Sequence, residues 1–163
     1  MLIFVVGPSR VGKTTLIGKV LGGFPEVRLL DLDDEENRSV RLIRANGGDP
    51  GGWEERWMRN IEGIQREEVV GDDLIVDVGA GSLQTVEGRQ FFIDRRDSTI
   101  AVVAPCEVVY RRHGDRNREE FTRTEYSADR ENVYRSAAFS VSSTSGIEQS
   151  ARKFRQVLRK LLK

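Results

Sequence analysis

Four residues near the start of the chain have the types and spacing of a phosphate-binding loop. Residues 7–14 read Gly-Pro-Ser-Arg-Val-Gly-Lys-Thr, which is the pattern G-x-x-x-x-G-K-[ST]. The two glycines permit a turn whose backbone N–H groups all point at an anion. Lys13 is expected to contact the β and γ phosphates of a nucleotide, and the Thr14 hydroxyl to ligate Mg²⁺. The residues that we expect to contact the nucleotide are Gly7, Pro8, Ser9, Arg10, Val11, Gly12, Lys13, Thr14 and Thr15.

The flanking sequence supplies the context that this loop requires. The apolar run Leu2 to Val6 precedes the loop and predicts a strand, and the apolar residues at 16, 17, 20 and 21 have helical spacing. A helix that starts at the loop directs the positive end of its dipole at the bound anion. The alternative is a glycine-rich turn that binds nothing, and it is disfavoured because the strand, loop and helix signals occur in the required order.

Carboxylates follow the second and third apolar runs of the chain. Asp31 and Asp33 follow the second run, and Asp77 closes the third. In open α/β sheets ligands bind outside the carboxyl ends of the strands, so these side chains could hold Mg²⁺ or accept a proton from an attacking hydroxyl. The alternative is an acid that caps a helix or a turn, which is sufficient to explain Glu35 and Glu36. We therefore retain Asp31 and Asp77 as metal candidates and Asp33 as a catalytic candidate.

A segment rich in arginine follows the fourth apolar run. Between residues 111 and 135 it holds arginines at 111, 112, 116, 118, 123, 130 and 135, and acids at 115, 119, 120, 125, 129 and 131. Because the positive and negative charges are nearly equal in number, most of these side chains are predicted to belong to a solvated helix face. A mobile arginine-bearing segment is also what phosphoryl transfer needs, because its closure brings cations to the phosphate and excludes water. We predict a lid at about 111–125 in which one or two of the arginines act.

Five short apolar runs alternate with longer helical patterns. Several are continuous and lack polar alternation, as is typical of parallel strands covered on both faces. The pattern predicts a doubly wound α/β fold with a five-stranded parallel sheet and helices on both faces, in a single domain over 1–163. A Gly-rich break at 46–52 splits an acceptor-binding insertion at about 33–70 into two helices. The predicted strands are Leu2–Val6, Val27–Leu30, Leu74–Val78, Thr99–Val103 and Ala138–Val141.

The closing segment predicts an amphipathic helix with a structural role. Ser145 and Glu148 have the spacing of a capping box at its start. Its apolar stripe consists of Ile147, Ala151, Phe154, Val157 and Leu161.

Composition excludes several classes of protein. Lys and Arg together number 26, as do Asp and Glu, so no overall field attracts a nucleic acid. Cys106 and His113 are the only residues of their types, which excludes an internal disulfide and argues against a zinc cluster. Without a signal peptide or a run of membrane-spanning length, we expect a cytoplasmic protein whose partner is a small molecule. The oligomeric state stays open.

Taken together, these motifs resemble the shikimate kinases, within the nucleoside-monophosphate-kinase-like group of phosphate-loop proteins. The resemblance spans nearly the whole chain. The Asp-x-Asp motif of that family is matched by Asp31-Leu32-Asp33, which implies that Asp33 contacts the acceptor hydroxyls. Its Phe-Arg-x-x-Glu motif is matched by residues 58–62 with Met58 in place of Phe, which implies that Arg59 binds an acceptor carboxylate. The Gly-Gly-Gly turn is matched by Gly79-Ala80-Gly81, which implies contact with the acceptor.

The later motifs of the family are matched in the same order. Arg118 is the counterpart of a lid arginine that reaches the nucleotide phosphates, although Glu119 replaces the proline that follows it. Arg130 and Tyr134 match Arg-x-x-x-Tyr, which implies that Arg130 is a second carboxylate ligand. The resemblance implies an ATP- and Mg²⁺-dependent kinase that transfers the γ-phosphate to a hydroxyl of a small, carboxylated acceptor. Its catalytic residues would be Lys13, Asp33 and Arg118.

Departures from the family pattern leave a second interpretation open. Ala80 puts a methyl group where the family has bare backbone, and Asp77 is acidic where the family has a hydroxyl residue. The alternative is a phosphate-loop nucleotide-binding protein or ATPase with a regulatory role and no acceptor chemistry. A GTPase is disfavoured because the chain lacks an N-K-x-D motif, and a polynucleotide kinase because the charge is balanced.

Overall fold

Five parallel strands form one sheet in the computed structural model, which describes residues 1–114 and 117–163. In chain order the strands are Leu2–Val6 (β1), Arg28–Asp31 (β2), Leu74–Asp77 (β3), Thr99–Val103 (β4) and Phe139–Ser142 (β5). Their order across the sheet is β2-β3-β1-β4-β5. The predicted five-stranded parallel sheet is confirmed.

Helices connect the strands and cover the sheet. Two helices are separated at the Gly-rich segment 46–52, where the sequence predicts a break. Among the described residues, no helix combines the length and the apolar character needed to cross a lipid bilayer. Two short 3-10 turns lie at Ala80–Leu83 and Arg96–Ser98. The α-helices are Lys13–Leu21 (α1), Leu32–Ala45 (α2), Trp53–Val70 (α3), Val86–Asp94 (α4), Cys106–His113 (α5), Arg118–Glu125 (α6), Ala128–Ser136 (α7) and Ile147–Leu161 (α8).

Apolar side chains pack on both faces of the sheet. Successive residues of a strand point to opposite faces, so Ile3 and Val5 of β1 lie in one core and Phe4 and Val6 in the other. The first core includes residues of α1 and α8, and the second includes residues of α3, α4 and α7. Trp57 is buried in the second core, with its ring centroid 5.4 Å from that of Phe91. Helices therefore cover both faces, as the continuous apolar runs predict.

The start of α8 differs from the prediction. The residue before it is Gly146, with φ of 81° and ψ of 150°, and no side chain caps the helix. Glu148 instead forms an ion pair with Lys19 of α1 at 2.5 Å. The predicted capping box of Ser145 and Glu148 is therefore wrong, because Glu148 has a partner on a neighbouring helix.

Candidate active site

The loop between β1 and α1 has the conformation of an anion cradle. Gly7 lies so close to β4 that a methyl group on it would overlap a carbonyl oxygen of that strand. Gly12, with φ of 105°, and Arg10, with φ of 58°, have left-handed backbone conformations. The buried Lys13 ammonium donates to the carbonyl oxygens of Gly7 at 3.1 Å and Pro8 at 3.4 Å. The positive charge thus lies against the loop, where it can meet a phosphate held by the loop amides.

Thr14 and Asp77 meet beside this loop. The Thr14 hydroxyl donates to Oδ2 of Asp77 at 2.6 Å, and Asp77, the last residue of β3, is 4 % exposed. Burial raises the pKa of Asp77, whereas Lys13 and the Thr14 hydrogen bond lower it. Asp31 stands opposite Asp77 in the register of β2 and β3. The Asp31 side chain caps α2 by accepting the N–H of Asp34 at 3.1 Å.

These oxygens fit a magnesium ion that is shared with a nucleotide. Within the described part of the chain, no group of three or more His, Cys, Asp or Glu residues could hold a metal ion by itself. Mg²⁺ is usually bound through one or two protein oxygens together with substrate phosphates and water. Thr14 and Asp77 form such a set next to the phosphate loop. Asp31 is the weaker candidate because its carboxylate already serves as a helix cap.

Asp33, in the first turn of α2, lies directly on Gly79. A methyl group on Gly79 would coincide with the Asp33 carboxylate, so a glycine is what permits this contact. Asp33 is exposed, yet desolvation by the surrounding protein raises its pKa. Lys13 lowers this pKa, and three neighbouring carboxylates raise it further. An exposed carboxylate that interacts electrostatically with Lys13 is suited to accept a proton from a bound hydroxyl.

Arg130, in α7, links the turn after β3 to the phosphate loop. It is 2 % exposed, and its Nη2 donates to the Ala80 carbonyl oxygen at 3.1 Å. Its Nη1 donates to Oε2 of Glu125 at 2.9 Å, and the same oxygen accepts the N–H of Ser9 at 3.0 Å. Glu125, at the end of α6, therefore connects the predicted acceptor side with the predicted nucleotide side.

Solved structures with a similar fold include shikimate kinases and a gluconokinase. The shikimate kinase of Aquifex aeolicus vf5 superimposes with a TM-score of 0.69 and 19% identity, over 99% of this chain and 98% of that one. The shikimate kinase of Acinetobacter baumannii in complex with shikimate gives 0.68 and 22%, over 99% and 92%. A gluconokinase of Sinorhizobium meliloti 1021 gives 0.59 and 13%, over 98% and 91%. No protein-family model and no curated protein matches the sequence.

The chain has the shikimate kinase fold. At 13–22% identity this likeness concerns the path of the backbone, and the roles of individual side chains remain predictions. The resemblance that the motifs indicate is thus confirmed at the level of structure.

Within this shikimate kinase fold, Arg59 lies on α3. Its Nη2 donates to the carbonyl oxygen of Pro50 at 2.7 Å. The side chain lines a cleft of about 210 Å³ whose walls come from β2, α2 and α3. The sequence predicts that Arg59 binds an acceptor carboxylate, and this role stays a prediction.

Arg56, one helical turn before Arg59, is linked through its partners to the turn formed by Gly79, Ala80 and Gly81. It donates to Oε1 of Glu36 at 3.2 Å, and its guanidinium lies 4.9 Å from the centre of the Trp53 ring. A methyl group on Gly81 would lie 3.1 Å from the Trp53 ring and 3.3 Å from Oε2 of Glu36. The sequence pattern of Glu36 is explained by a helix N-terminus, and no sequence motif includes Arg56. The available signal was the position of Arg56 on the same face of α3 as Asn60, which bonds to Ser82 at 3.1 Å.

The predicted lid, at about 111–125, includes the end of α5 and the whole of α6. Asp115 and Arg116 lie outside the described residues. Arg118 donates to Oε2 of Glu107 at 2.7 Å, and its side chain is 66% exposed. Its contact with nucleotide phosphates therefore stays a prediction that requires the side chain to leave Glu107. Phe121 is fully buried and packs on Tyr110 at a centroid distance of 5.5 Å, which anchors α6 to the core.

A different arginine of this segment contacts the phosphate loop. Nη1 of Arg112 donates to the Val11 carbonyl oxygen at 2.9 Å, and Arg10 donates back to the carbonyl oxygen of Arg112 at 3.0 Å. Next to this contact, a groove of about 640 Å³ runs between the loop, α5 and the start of α8. Its walls include Arg112, Thr15 and Ile147, so it offers apolar and charged surface for the nucleoside part of a bound nucleotide.

Proposed function

We propose that this protein is an ATP- and Mg²⁺-dependent kinase that phosphorylates a hydroxyl group of a small molecule. The observation that carries the proposal is the position of Asp33, which lies on Gly79 and is electrostatically coupled to Lys13 of the phosphate loop. A carboxylate beside a phosphate cradle is the arrangement that transfer to a hydroxyl needs. Helices α2 and α3, within the predicted insertion at about 33–70, would form the acceptor side.

Each part of the site has a role in this proposal. The loop amides and Lys13 bind the phosphates, and Thr14 and Asp77 are the residues that would hold Mg²⁺. When bound, this ion neutralises charge on the β and γ phosphates. The acceptor oxygen gives its proton to Asp33 and forms a bond to the γ phosphorus, while the bond from that phosphorus to the bridging oxygen breaks and ADP leaves. Arg118 would join the site only after it leaves Glu107.

The proposal is tested by ADP release in the presence of ATP, Mg²⁺ and hydroxyl compounds, shikimate among them. We expect stimulation by an acceptor and a loss of at least about 100-fold in kcat/KM for Lys13→Ala, because preorganised charge is the main catalytic contribution in such sites. Lys19→Ala is the matched control, since it removes the same charge from the exposed side of α1. Lys13→Ala with unchanged turnover would overturn the assignment.

A second candidate is a nucleotide-binding protein or slow ATPase with a regulatory role. The observation in its favour is the pairing of Arg118 with Glu107, which leaves the predicted lid arginine away from the loop. The same assay separates the two candidates. A kinase releases ADP faster when an acceptor is added, whereas the second candidate binds nucleotide and releases ADP at a rate that no hydroxyl compound changes.

The resemblance also predicts a carboxylate on the acceptor, held by Arg59 and Arg130. This finer prediction depends on two guanidinium groups that both have partners within the protein, since Arg59 donates to Pro50 and Arg130 to Glu125 and Ala80.

A further inference from the structure

Glu125, at the end of α6, receives hydrogen bonds from two different parts of the site. Its Oε2 accepts the backbone N–H of Ser9, in the phosphate loop, at 3.0 Å and Nη1 of Arg130 at 2.9 Å. The side chains of Glu125 and Arg130 are only 6% and 3% exposed. A change of partners would leave a buried charge uncompensated, which is costly, so these contacts hold the two side chains in fixed positions.

Arg130 extends this chain of contacts to the turn after β3. Its Nη2 donates to the carbonyl oxygen of Ala80 at 3.1 Å, so the planar guanidinium group spans the distance between Glu125 and the turn. The residue before Ala80 is Gly79, on which the Asp33 carboxylate lies. A displacement of Arg130 would therefore move the backbone that supports the proposed proton acceptor.

Ser9 is held at both of its backbone polar groups. Its N–H donates to Glu125, and its carbonyl oxygen accepts a hydrogen bond from Nε2 of His113, in α5, at 3.0 Å. Because the Ser9 backbone is tied to α5 and to the end of α6, we expect a shift of this residue on nucleotide binding to reach Glu125.

From these contacts we infer that Glu125 is a positioning residue that couples the phosphate loop to the turn after β3. The chain of contacts runs from Ser9 through Glu125 and Arg130 to Ala80. A nucleotide that orders the loop thereby orders the turn, and the turn holds Asp33 in place for proton transfer. This role rests on the proposed kinase function, in which the loop binds the nucleotide.

Amide hydrogen exchange tests this role without knowledge of the acceptor. The reporters are the N–H groups of Ser82 and Gln84, which donate within the turn to the carbonyl oxygens of Gly79 and Gly81 at 3.1 Å. A short turn opens locally, so global unfolding does not set its exchange rate. With a saturating magnesium complex of a non-hydrolysable ATP analogue, we expect both amides of the wild type to exchange at least tenfold more slowly. A smaller change would overturn the inference.

Two variants of Glu125 separate its position from its charge. Glu125→Asp keeps the charge, but its shorter side chain cannot reach Ser9 and Arg130 together, so the analogue should slow exchange at the turn by less than threefold. Glu125→Gln loses the charge but keeps the length and an oxygen that can accept both hydrogen bonds, so at least fivefold slowing should remain. A residue that only compensated the charge of Arg130 would give the reverse order. The reverse order, or equal slowing in the wild type and both variants, would overturn the inference.

Control variants exclude a general effect of substitution. Glu120→Gln, at an exposed position of α6, should keep the full slowing. If Glu125→Asp does not fold, Arg130→Lys takes its place, because a single ammonium group does not span Glu125 and Ala80 as the guanidinium does. Arg130→Lys should reduce the slowing to less than threefold, whereas Arg135→Lys, exposed on the same helix, should not. Full slowing in Arg130→Lys would overturn the inference.

The two proposals fail in distinguishable ways. If calorimetry detects no binding of the magnesium complex of the analogue to the wild type, the proposed function itself is overturned. If that complex binds and slows exchange within the phosphate loop but not at Ser82 and Gln84, nucleotide binding stands and the coupling through Glu125 is overturned.

Discussion

At the scale of single residues, the Arg130–Glu125 pair matters for folding as well as for the site. Removing one partner of a buried ion pair leaves the other charge uncompensated, which typically costs about 3–5 kcal/mol. We expect Arg130→Met to lower the free energy of unfolding by that amount. Arg135→Met should lower it by less than about 1 kcal/mol, because Arg135 is 78% exposed in its pair with Glu131. Urea denaturation compares the two, and equal losses would contradict this account of the buried pair.

The buried Asp77 gives the fold a pH dependence of its own. Burial raises the pKa of Asp77 above its ordinary value of 3.8, so the folded state favours the protonated form. This contribution to stability is fully present below pH 3.8 and is lost as the pH rises through the raised pKa. The Asp77→Asn variant has no carboxyl group to ionise at this position, so it does not lose this stability as the pH rises. The difference in free energy of unfolding between the variant and the wild type should therefore grow in favour of the variant from about pH 4 towards neutral pH.

Urea denaturation between pH 4 and 7, with EDTA and without nucleotide, measures the effect of Asp77→Asn. The same variant should lose Mg²⁺-dependent turnover, since Asp77 is a proposed metal ligand. A variant that becomes steadily less stable than the wild type as the pH rises would show that the Asp77 charge stabilises the fold.

Individual site residues were predictable where a local motif defines them. The spacing of Gly7, Gly12, Lys13 and Thr14 indicates a phosphate loop because the chemistry and the backbone geometry lie within one short segment. Glu125 was not predictable in this way. Its partner Ser9 is 116 residues away, and its surroundings in the sequence have the balanced charge of a solvated helix.

At the scale of the helices, two glycines show how backbone conformation decides whether a change from glycine to alanine stabilises or destabilises the protein. Gly146, before α8, has φ of 81° and ψ of 150°, a region that side chains avoid, so Gly146→Ala should cost about 1–3 kcal/mol of stability. Gly18 lies within α1 with nothing within 4 Å of an added methyl group, so Gly18→Ala should add about 0.5–1 kcal/mol. Thermal or urea unfolding checks both. Changes of the same sign would contradict the conformations described here.

Element positions followed from apolar runs, whereas their ends did not. The predicted strands Leu2–Val6 and Thr99–Val103 agree with β1 and β4. The predicted strand Val27–Leu30 is shifted by one residue, because the N–H of Val27 bonds to Phe24 in the preceding turn at 3.0 Å. The segment predicted to be a lid was harder to interpret. Its only strongly apolar residue, Phe121, is the one that anchors α6, and a single residue gives no periodicity.

At the scale of the whole molecule, the fold class was predictable and the geometry of the cleft was not. Continuous apolar runs are sufficient to indicate a covered parallel sheet. The order of the strands decides which carboxyl ends meet. With β1 between β3 and β4, the phosphate loop lies beside Asp77, whereas Asp33 arrives from α2 at the end of the neighbouring β2. Which of Arg56, Arg59 and Arg130 face this cleft depends on packing between distant helices, which motif spacing does not determine.

The central position of the phosphate loop also predicts how the protein responds to nucleotide. Because the loop joins β1 to α1, and β1 contributes side chains to both cores, a ligand bound there should stabilise the folded chain as one cooperative unit. A non-hydrolysable ATP analogue with Mg²⁺ at 100 times its Kd would add about 2.7 kcal/mol, which corresponds to a rise in Tm of about 5–10 °C for a chain of this size. Differential scanning calorimetry should show a single transition, with a smaller shift in EDTA because Thr14 and Asp77 then lack their ion. An equal rise in Tm in EDTA would show that the nucleotide analogue binds without a metal ion. Two separate transitions would show that the halves of the sheet unfold independently.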